Sequence, residues 1–232
     1  MKKIGIIGAG ISGLYLANII NNNSDLDYKI FEKRDHFNLS ESYGIQLSVN
    51  SIKLLNKIGF KNLTASEVYF PTKVNFFHSK KKNKICDIDL SQFNYEQTRY
   101  TTLKRSTLLN FLLENISQDK INFNTKLTHL EKGDLINAKF SDNSEENFDF
   151  IVIADGIFSE TKLIAFDESF KPKYNNSVAL RAIIKKHDDK NISICMGSNF
   201  HYVIYPVNQN NEYNFVSILK KKLTNQELND KE

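Results

Sequence analysis

The chain has 232 residues, of which 41% are hydrophobic and 25% are charged, a composition typical of a globular protein with a sizeable core. Its formal net charge of +4 is too small to indicate nucleic-acid binding. Two Cys, three Pro and nine Gly exclude a disulfide scaffold and a low-complexity chain, and no apolar run reaches the ~18 residues of a membrane-spanning helix. We therefore expect a cytoplasmic protein of one large domain or two small ones.

The N-terminus predicts a strand, a glycine turn and a helix. Lys3–Ile7 is a β-branched apolar run, and Ser12–Ile20 carries apolar residues at helical spacing. Between them, Gly8-x-Gly10-x-x-Gly13 has the spacing of a dinucleotide-binding turn, in which backbone N–H groups approach a pyrophosphate at a helix N-terminus. The alternative, a signal peptide, is disfavoured because glycines weaken its helix and no cleavage site follows.

An acidic residue stands where such a turn needs one. A second predicted strand, Tyr28–Phe31, ends at Glu32, which lies 19 residues after Gly13. A carboxylate there can accept hydrogen bonds from a ribose hydroxyl pair and disfavours a 2′-phosphate, so a tightly held NADP is not expected. The alternative is a solvated carboxylate in a charged loop.

The middle of the chain contains a further helix with a cation at its start. We expect a strand at Ile45–Leu47, a helix capped by Asn50 and a hairpin around residues 79–83. The segment 100–108 then leads into a helix through Ile116, with Arg105 in the first turn. The helix dipole disfavours a cation there, so either a bound phosphate or an acidic partner such as Glu114 is expected.

Strands predominate from residue 121 onwards. The predicted set is 121–124, 127–130, 135–140, 148–154, 178–185, 192–196, 201–207 and 213–219, followed by a frayed terminal helix. Asp155-Gly156 directly follows the most apolar strand, where ligands bind in parallel sheets, although Asp-Gly alone usually means a turn. Glu145 and Glu146 are expected to face solvent, and Tyr202 and Tyr205 to be core aromatics or to line a pocket.

The sequence does not indicate a metal site or a serine nucleophile. The five His residues show no metal-ligand spacing, and no Ser lies in a G-x-S-x-G turn. No metal is expected, and no catalytic residue can be named.

Five motifs follow one another along the chain: Gly8-x-Gly10-x-x-Gly13, Glu32, Tyr43-Gly44-Ile45-Gln46-Leu47, Leu103-x-Arg105-x-x-Leu108 and Asp155-Gly156-x-x-Ser159. In this order they resemble the FAD-dependent aromatic hydroxylases of the para-hydroxybenzoate, salicylate and ubiquinone-pathway type. The resemblance implies an α/β fold: a Rossmann-like FAD-binding βαβ domain (residues 1–70 and 98–166) interleaved with an antiparallel-sheet substrate domain (71–97 and 167–232).

The resemblance also implies a set of FAD-binding residues. Gly8, Gly10 and Gly13 would wrap the pyrophosphate, Glu32 would hold the adenosine ribose, and Arg105 would reach the FAD from its helix. The backbone of Leu127 would touch adenine, and Asp155 and Gly156 would lie at the pyrophosphate. Ser12 in the glycine turn and Lys33 after Glu32 complete the expected set, although the family often has Arg in place of Lys33.

The implied activity is oxygenation of a small aromatic or quinone-like molecule, with FAD held tightly, NAD(P)H docking transiently and O2 as co-substrate. A later Gly-Asp segment of the family, which lies against the flavin ring, has no counterpart before this chain stops. Three interpretations stay open: a monooxygenase or its N-terminal portion, a reductase or dehydrogenase of the same fold, and a non-catalytic chain or one whose flavin site a partner chain completes.

Overall fold

The N-terminal residues fold as the sequence predicts. β-branched residues form β1 (Lys2–Ile7), and after three turn residues α1 (Ile11–Asn21) buries Leu14, Ala17 and Ile20 on one face. The structure, a computed structural model, describes residues 1–37, 39, 43–166, 172–185 and 188–229.

The remaining elements follow in chain order. The strands are β2 (Leu26–Phe31), β3 (Gly44–Leu47), β4 (Val68–Tyr69), β5 (Lys73–His78), β6 (Lys84–Asp89), β7 (Thr101–Lys104), β8 (Ile121–Asn122), β9 (Leu127–Lys132), β10 (Ile136–Phe140), β11 (Glu145–Phe148), β12 (Phe150–Ile153), β13 (Ser177–Lys185), β14 (Ile192–Met196), β15 (Phe200–Pro206) and β16 (Glu212–Lys220). The helices are α2 (Val49–Leu55), α3 (Arg105–Leu113), α4 (Thr161–Phe166) and α5 (Asn225–Asn229). Short 3-10 turns lie at Asn56–Ile58, Phe60–Asn62, Ala65–Glu67, Leu90–Phe93 and Gln118–Lys120.

The chain divides into two compact units, residues 1–39 with 108–173 and residues 40–107 with 174–232. The sequence prediction assigns 40–70 and 98–107 to the FAD domain, whereas compactness groups them with the second unit. Hydrogen bonds explain this grouping, since Gly44 N donates to Asn214 Oδ1 at 2.7 Å and Thr102 Oγ1 to the Pro206 oxygen at 2.6 Å. The predicted domain assignment, which follows the family resemblance, stays a prediction.

The first unit is built on a parallel sheet with the order β12-β1-β2-β8. A smaller antiparallel sheet has the order β11-β10-β9 and supplies most residues of a buried hydrophobic cluster. In this cluster Phe31 stacks on Phe140 with ring centroids 4.0 Å apart. Asn18 ties α1 to α3, because its Nδ2 donates to the Leu112 oxygen at 2.7 Å. Because β12, β1 and β2 run parallel, their carboxyl ends lie at one edge of the sheet.

Two sequence expectations in this unit are wrong. The predicted strand 148–154 is two strands, since Asp149 breaks the run by accepting a hydrogen bond from Lys3 N at 2.7 Å. Glu146 does not face solvent: it lies in β11 and pairs with Lys3 and, at 2.7 Å, with Lys29. These bonds outweigh the burial that opposes them and hold the pKa of Glu146 below its usual value. Glu145 is exposed.

The edge strand of the parallel sheet is more exposed than its composition suggests. Phe150 and Val152 alternate along β12 and are 50% and 36% exposed. Their partners in register on β1, Ile4 and Ile6, are buried. The Lys2 ammonium lies 5.2 Å from the centroid of the Phe150 ring, and among the described residues the rest of this face of β12 is a largely uncovered apolar surface.

The second unit contains a six-stranded sheet with the order β13-β16-β15-β14-β5-β6. Its pairs are antiparallel except β14 with β5, and β5 and β6 form the predicted hairpin. The same unit contains a three-stranded sheet with the order β3-β7-β4. Its short strands β4 and β7 were not predicted from the sequence. The predicted cap Asn50 is wrong, because α2 begins after Ser48, whose backbone is extended. Gly59 follows the 3-10 turn Asn56–Ile58 with φ of +93°, a left-handed conformation that favours glycine.

Candidate functional site

The glycine turn, residues 8–13, is held by close backbone contacts. Gly8 has φ of +106°, and a Cβ on it would lie 2.6 Å from the carbonyl oxygen of Ala154. A Cβ on Gly13 would lie 2.1 Å from the carbonyl oxygen of Gly8. Gly8 N donates to the Phe31 oxygen at 2.8 Å, so the turn is tied to the end of β2. Only glycine fits at positions 8 and 13.

Gly10 differs from its two neighbours in the motif. A Cβ on Gly10 would meet nothing within 4 Å, so the turn opens outwards at this residue. Gly10 is also the N-cap of α1, and the first turn of that helix carries no acidic residue. The exposed Ser12 lies in the same turn. Free N–H groups, a helix dipole and open space together form a place that suits an anion.

Glu32 lies beside the glycine turn. Its Oε2 accepts a hydrogen bond from Ala9 N at 2.9 Å, and its Oε1 accepts one from Arg34 N at 3.1 Å. A carboxylate has about four lone-pair positions, so each oxygen can accept another donor. The side chain therefore fixes the turn and keeps capacity for a ligand hydroxyl pair.

Asp155 comes to the same edge of the sheet. Ala154 N donates to the Ile7 oxygen at 2.8 Å, which places Asp155 directly against Gly8. Its Oδ2 is 3.4 Å from Thr161 N, while its Oδ1 is buried and has no hydrogen-bond partner among the described residues. Gly156 follows with φ of +83° and open space around it. A buried carboxylate oxygen without a donor is costly, and a ligand donor would satisfy it.

Lys33 contributes charge rather than a fixed contact. Its Nζ is 4.0 Å from Glu160 Oε1, and both side chains are more than half exposed, so the pair contributes little stability. Lys126 also pairs with Glu160, and its hydrogen bond holds the pKa of Glu160 below the usual value.

Leu127 begins β9, and its side chain is buried in the core with Phe31 and Phe140. Any contact of this residue with a ligand must therefore come from its main chain, as the family resemblance implies. The role itself stays a prediction.

Arg105 belongs to the second unit, where it opens α3. Its backbone N donates to the Tyr43 oxygen at 2.9 Å, and its guanidinium carbon lies 5.8 Å from the centroid of the Tyr43 ring. Arg181 on β13 approaches the same ring at 4.6 Å. Two of the four Arg residues of the chain therefore meet at one tyrosine.

Sequence reasoning named several of these residues separately but did not bring them together and did not single out Arg181; we call the group the tyrosine–arginine cluster. Its members are Tyr43, Gln46, Tyr100, Arg105, Arg181 and Tyr205. Tyr100 Oη donates to Gln46 Oε1 at 2.8 Å, and burial raises the pKa of the Tyr205 hydroxyl well above its usual value. The scarcity of Arg in this Lys-rich chain was the available signal for Arg181.

Two absences apply to the part of the chain that the structure describes. It contains no group of three or more His, Cys, Asp and Glu side chains that could hold a metal ion. It also contains no helix long and apolar enough to cross a membrane.

Comparisons with known proteins agree with this geometry. The family described as "NAD(P)-binding Rossmann-like domain" matches residues 6–42. The monooxygenase asqM of Emericella nidulans is 28% identical over 190 residues, which cover 75% of this chain and 42% of that protein. The salicylate hydroxylase of Pseudomonas putida is 21% identical, with coverage of 78% and 43%. The chain spans about half the length of the curated relatives it matches.

Solved structures share the fold. Klebsiella pneumoniae HpxO complexed with FAD and uric acid has a TM-score of 0.85 at 18% identity, covering 96% of this chain and 57% of that chain. A salicylate hydroxylase substrate complex has a TM-score of 0.79 at 15% identity, covering 96% and 57%. The predicted fold class, a Rossmann-like part with antiparallel sheets, is confirmed.

Proposed function

Because this chain is related to the FAD-dependent aromatic hydroxylases, we propose that it binds FAD and serves an oxygenation of a small aromatic or quinone-like molecule. One observation carries the proposal. The glycine turn, Glu32 and the unsatisfied Oδ1 of Asp155 meet at the carboxyl ends of neighbouring parallel strands. Ligands bind at this edge in doubly wound sheets.

We assign the residues of the first unit to the dinucleotide half of FAD. The pyrophosphate would lie on the N-terminus of α1 at Gly10 and Ser12, with Gly8 and Gly13 shaping the turn. Glu32 would accept hydrogen bonds from the adenosine ribose, and Asp155 with Gly156 would lie near the pyrophosphate, with Asp155 Oδ1 accepting from a neighbouring hydroxyl of FAD and not from the phosphates. The main chain of Leu127 would face adenine, and Lys33 would add positive charge.

The second unit would serve the rest of the reaction. Arg105 would reach the FAD, as the family resemblance implies. Arg181 has no carboxylate within ion-pair distance among the described residues, so it can take an acidic or phenolate group of the substrate. We expect Arg181→Gln to raise KM for acidic phenols more than it lowers kcat.

FAD held by these residues would supply the redox chemistry of the reaction, with NAD(P)H, docked transiently, as the reductant and O2 as the co-substrate. The protein binds and orients the reactants and keeps water away from them. The free thiols of Cys86 and Cys195 suit a reducing compartment, and we propose a cytoplasmic location.

A second candidate function is favoured by the uncovered face of β12. In this candidate the chain binds FAD, but a further polypeptide completes the flavin site before any turnover. Parallel strands are normally covered on both faces, whereas Phe150 and Val152 are not. Tightly coupled hydroxylation by this chain alone would reject the candidate. Hydrogen peroxide as the main product of NAD(P)H oxidation would support it.

The proposal is tested by titrating the purified chain with FAD and following flavin absorbance and fluorescence. Gly10→Val should leave the fold intact, since its Cβ meets nothing, and should abolish binding by filling the space of the pyrophosphate. Asp155→Asn should weaken binding about tenfold through loss of a charged hydrogen-bond acceptor.

The matched control is Gly133→Val in the turn between β9 and β10, where a Cβ has ordinary contacts. It should bind FAD like the unmodified chain. Full flavin content in Gly10→Val would refute the assignment. A panel of phenolic acids, with NAD(P)H consumed compared to hydroxylated product, then separates oxygenation from simple reduction by the alternative reductase.

A further inference from the structure

Three segments of the second unit meet at one end of the six-stranded sheet. β5 and β14 run parallel, so their last residues, His78 and Met196, lie at the same end, and Ser79 N donates to the Met196 oxygen at 3.0 Å. β16 ends there as well, because Lys220 N donates at 2.9 Å to the oxygen of Asn199, in the turn before β15. The turn between β5 and β6, the turn between β14 and β15 and the end of β16 are therefore neighbours.

These segments bring together lysines that are far apart in the sequence. We call this surface the lysine end, and its seven exposed members are Lys80, Lys81, Lys82, Lys84, Lys220, Lys221 and Lys222. Lys84 pairs with Asp87 at 2.6 Å and Lys221 with Glu227 at 3.2 Å. Among the described residues, no carboxylate lies within ion-pair distance of the other five lysines. The seven lysines and two carboxylates thus carry a formal charge of +5, against +4 for the whole chain, so the rest of the chain is slightly negative.

The turn between β5 and β6 presents its lysines in a fixed conformation. His78 Nδ1 accepts hydrogen bonds from Lys80 N and Lys81 N, each at 3.2 Å, and the His78 oxygen accepts one from Lys82 N at 2.8 Å. These bonds use main-chain donors only, and the three lysine side chains are exposed. Cations held on one surface repel each other, and a partner with several negative charges relieves that repulsion.

Exposed apolar side chains lie at the same end of the sheet. Ile85 is 54% exposed, Met196 48% and Phe200 37%. The ring of Phe200 lies against Gly197, where a Cβ would be 2.7 Å from it. Lysines beside apolar side chains suit a lipid surface. A nucleic-acid surface favours arginine, whose planar guanidinium recognises phosphates and bases, whereas all seven cations here are lysines.

We propose that the lysine end docks on the surface of a membrane that contains anionic phospholipids. The ammonium groups meet the headgroups, while Ile85, Met196 and Phe200 enter the boundary between headgroups and acyl chains. The contact is peripheral, and because it is largely electrostatic, salt weakens it. It does not depend on FAD binding, so its failure would leave the proposed function untouched.

The test is cosedimentation of the purified full chain with vesicles of phosphatidylcholine, alone or with about 30% phosphatidylserine. We expect binding to the anionic vesicles only, and its loss in about 0.5 M NaCl. The triple variant Lys80→Gln, Lys81→Gln, Lys82→Gln should bind about 100-fold more weakly, since each lysine near an anionic surface contributes about fivefold. Ile85→Ser should weaken vesicle binding several-fold through the loss of apolar area.

The matched control is Lys53→Gln, Lys57→Gln, Lys61→Gln, which removes the same charge from exposed lysines within and after α2. It should bind anionic vesicles like the unmodified chain. Both triple variants should keep the melting temperature, because none of these side chains has an ion-pair partner among the described residues.

Three results would overturn the proposal. The first is an absence of binding to the anionic vesicles. The second is an equal loss of binding in the two triple variants, which would reduce the effect to net charge. The third is binding of double-stranded DNA, but not of vesicles, that is lost when Lys80, Lys81 and Lys82 are neutralised, which would assign the lysine end to nucleic acid.

Discussion

The glycine turn of the first unit and the tyrosine–arginine cluster of the second are polar sites built in opposite ways. The turn is fixed by backbone atoms: Gly8 and Gly13 have no room for a methyl group. The cluster is fixed by side chains that lie far apart in sequence, from Tyr43 to Tyr205, and contact each other through rings and hydroxyls. Sites of the first kind tolerate almost no change, whereas sites of the second kind lose one contact at a time.

We expect the largest effect on stability from Gly13→Val in the glycine turn. The new Cβ would overlap the carbonyl oxygen of Gly8, so α1 must move away from β1. We expect a loss of about 2–4 kcal/mol in the free energy of unfolding, together with loss of FAD binding. Urea denaturation followed by circular dichroism measures the first effect. The comparison is with Gly10→Val, which should lose only the flavin; equal stability of the two variants would contradict the steric argument.

Glu32→Ala should have the next largest effect. It removes the acceptor for Ala9 N and for a ribose hydroxyl pair, so we expect FAD affinity to fall by about 1–3 kcal/mol. Fluorescence titration with FAD measures the change. Glu131→Ala on β9, where the carboxylate is exposed, is the control and should bind FAD normally. An unchanged FAD affinity in Glu32→Ala would contradict the ribose contact and would mean that the carboxylate only stabilises the glycine turn.

Tyr100→Phe probes the cluster at a single bond. The substitution removes the hydroxyl that donates to Gln46 Oε1 and keeps the ring. We expect a loss of about 0.5–1.5 kcal/mol in the free energy of unfolding and no change in FAD affinity. Thermal unfolding measures it. A loss of several kcal/mol would mean that the cluster is as intolerant as the glycine turn.

The smallest expected effect is a pH dependence at Glu212. The hydrogen bond from Lys104, at 2.6 Å, and another from Asn208 hold the pKa of Glu212 below its ordinary value of 4.5. The folded state thus binds this proton less readily than the unfolded chain does. The stabilisation is complete above the unfolded pKa and is lost as the pH falls through the folded one.

We therefore expect Glu212→Gln to remove less than about 1 kcal/mol of stability at pH 7 and a smaller amount at pH 3. Unfolding curves at the two pH values measure the difference. A penalty that is equal at pH 7 and pH 3 would show that the carboxylate charge has no part in it.

The features that were predicted correctly from the sequence are those formed by residues close together in the chain. β1, the glycine turn and α1 follow from adjacent residues, and Glu32 follows from a fixed offset within the same βαβ unit. The cap of α2 was misplaced by two residues because Ser48 and Asn50 are both good caps and only the backbone distinguishes them. β11 was missed because its polar residues, Glu145 to Asn147, hide a single buried aromatic, Phe148.

The remaining features depend on tertiary contacts that no local pattern records. The approach of Arg181 to Tyr43 brings β13 against the residue that precedes β3. The exposure of Phe150 depends on how the rest of the chain packs around β12. The unsatisfied Oδ1 of Asp155 is likewise invisible in the dipeptide Asp-Gly, which alone indicates a turn.

The pairing of β1 with β12 has a consequence during synthesis. The bond from Lys3 N to Asp149 links residues separated by 146 positions. At ~5–20 residues per second, a ribosome needs about 7–30 s to produce the second strand after the first. Throughout that interval β1 has β2 on one side and an open, apolar hydrogen-bonding edge on the other. The strand that leads into the glycine turn therefore waits for a partner that is made long after it.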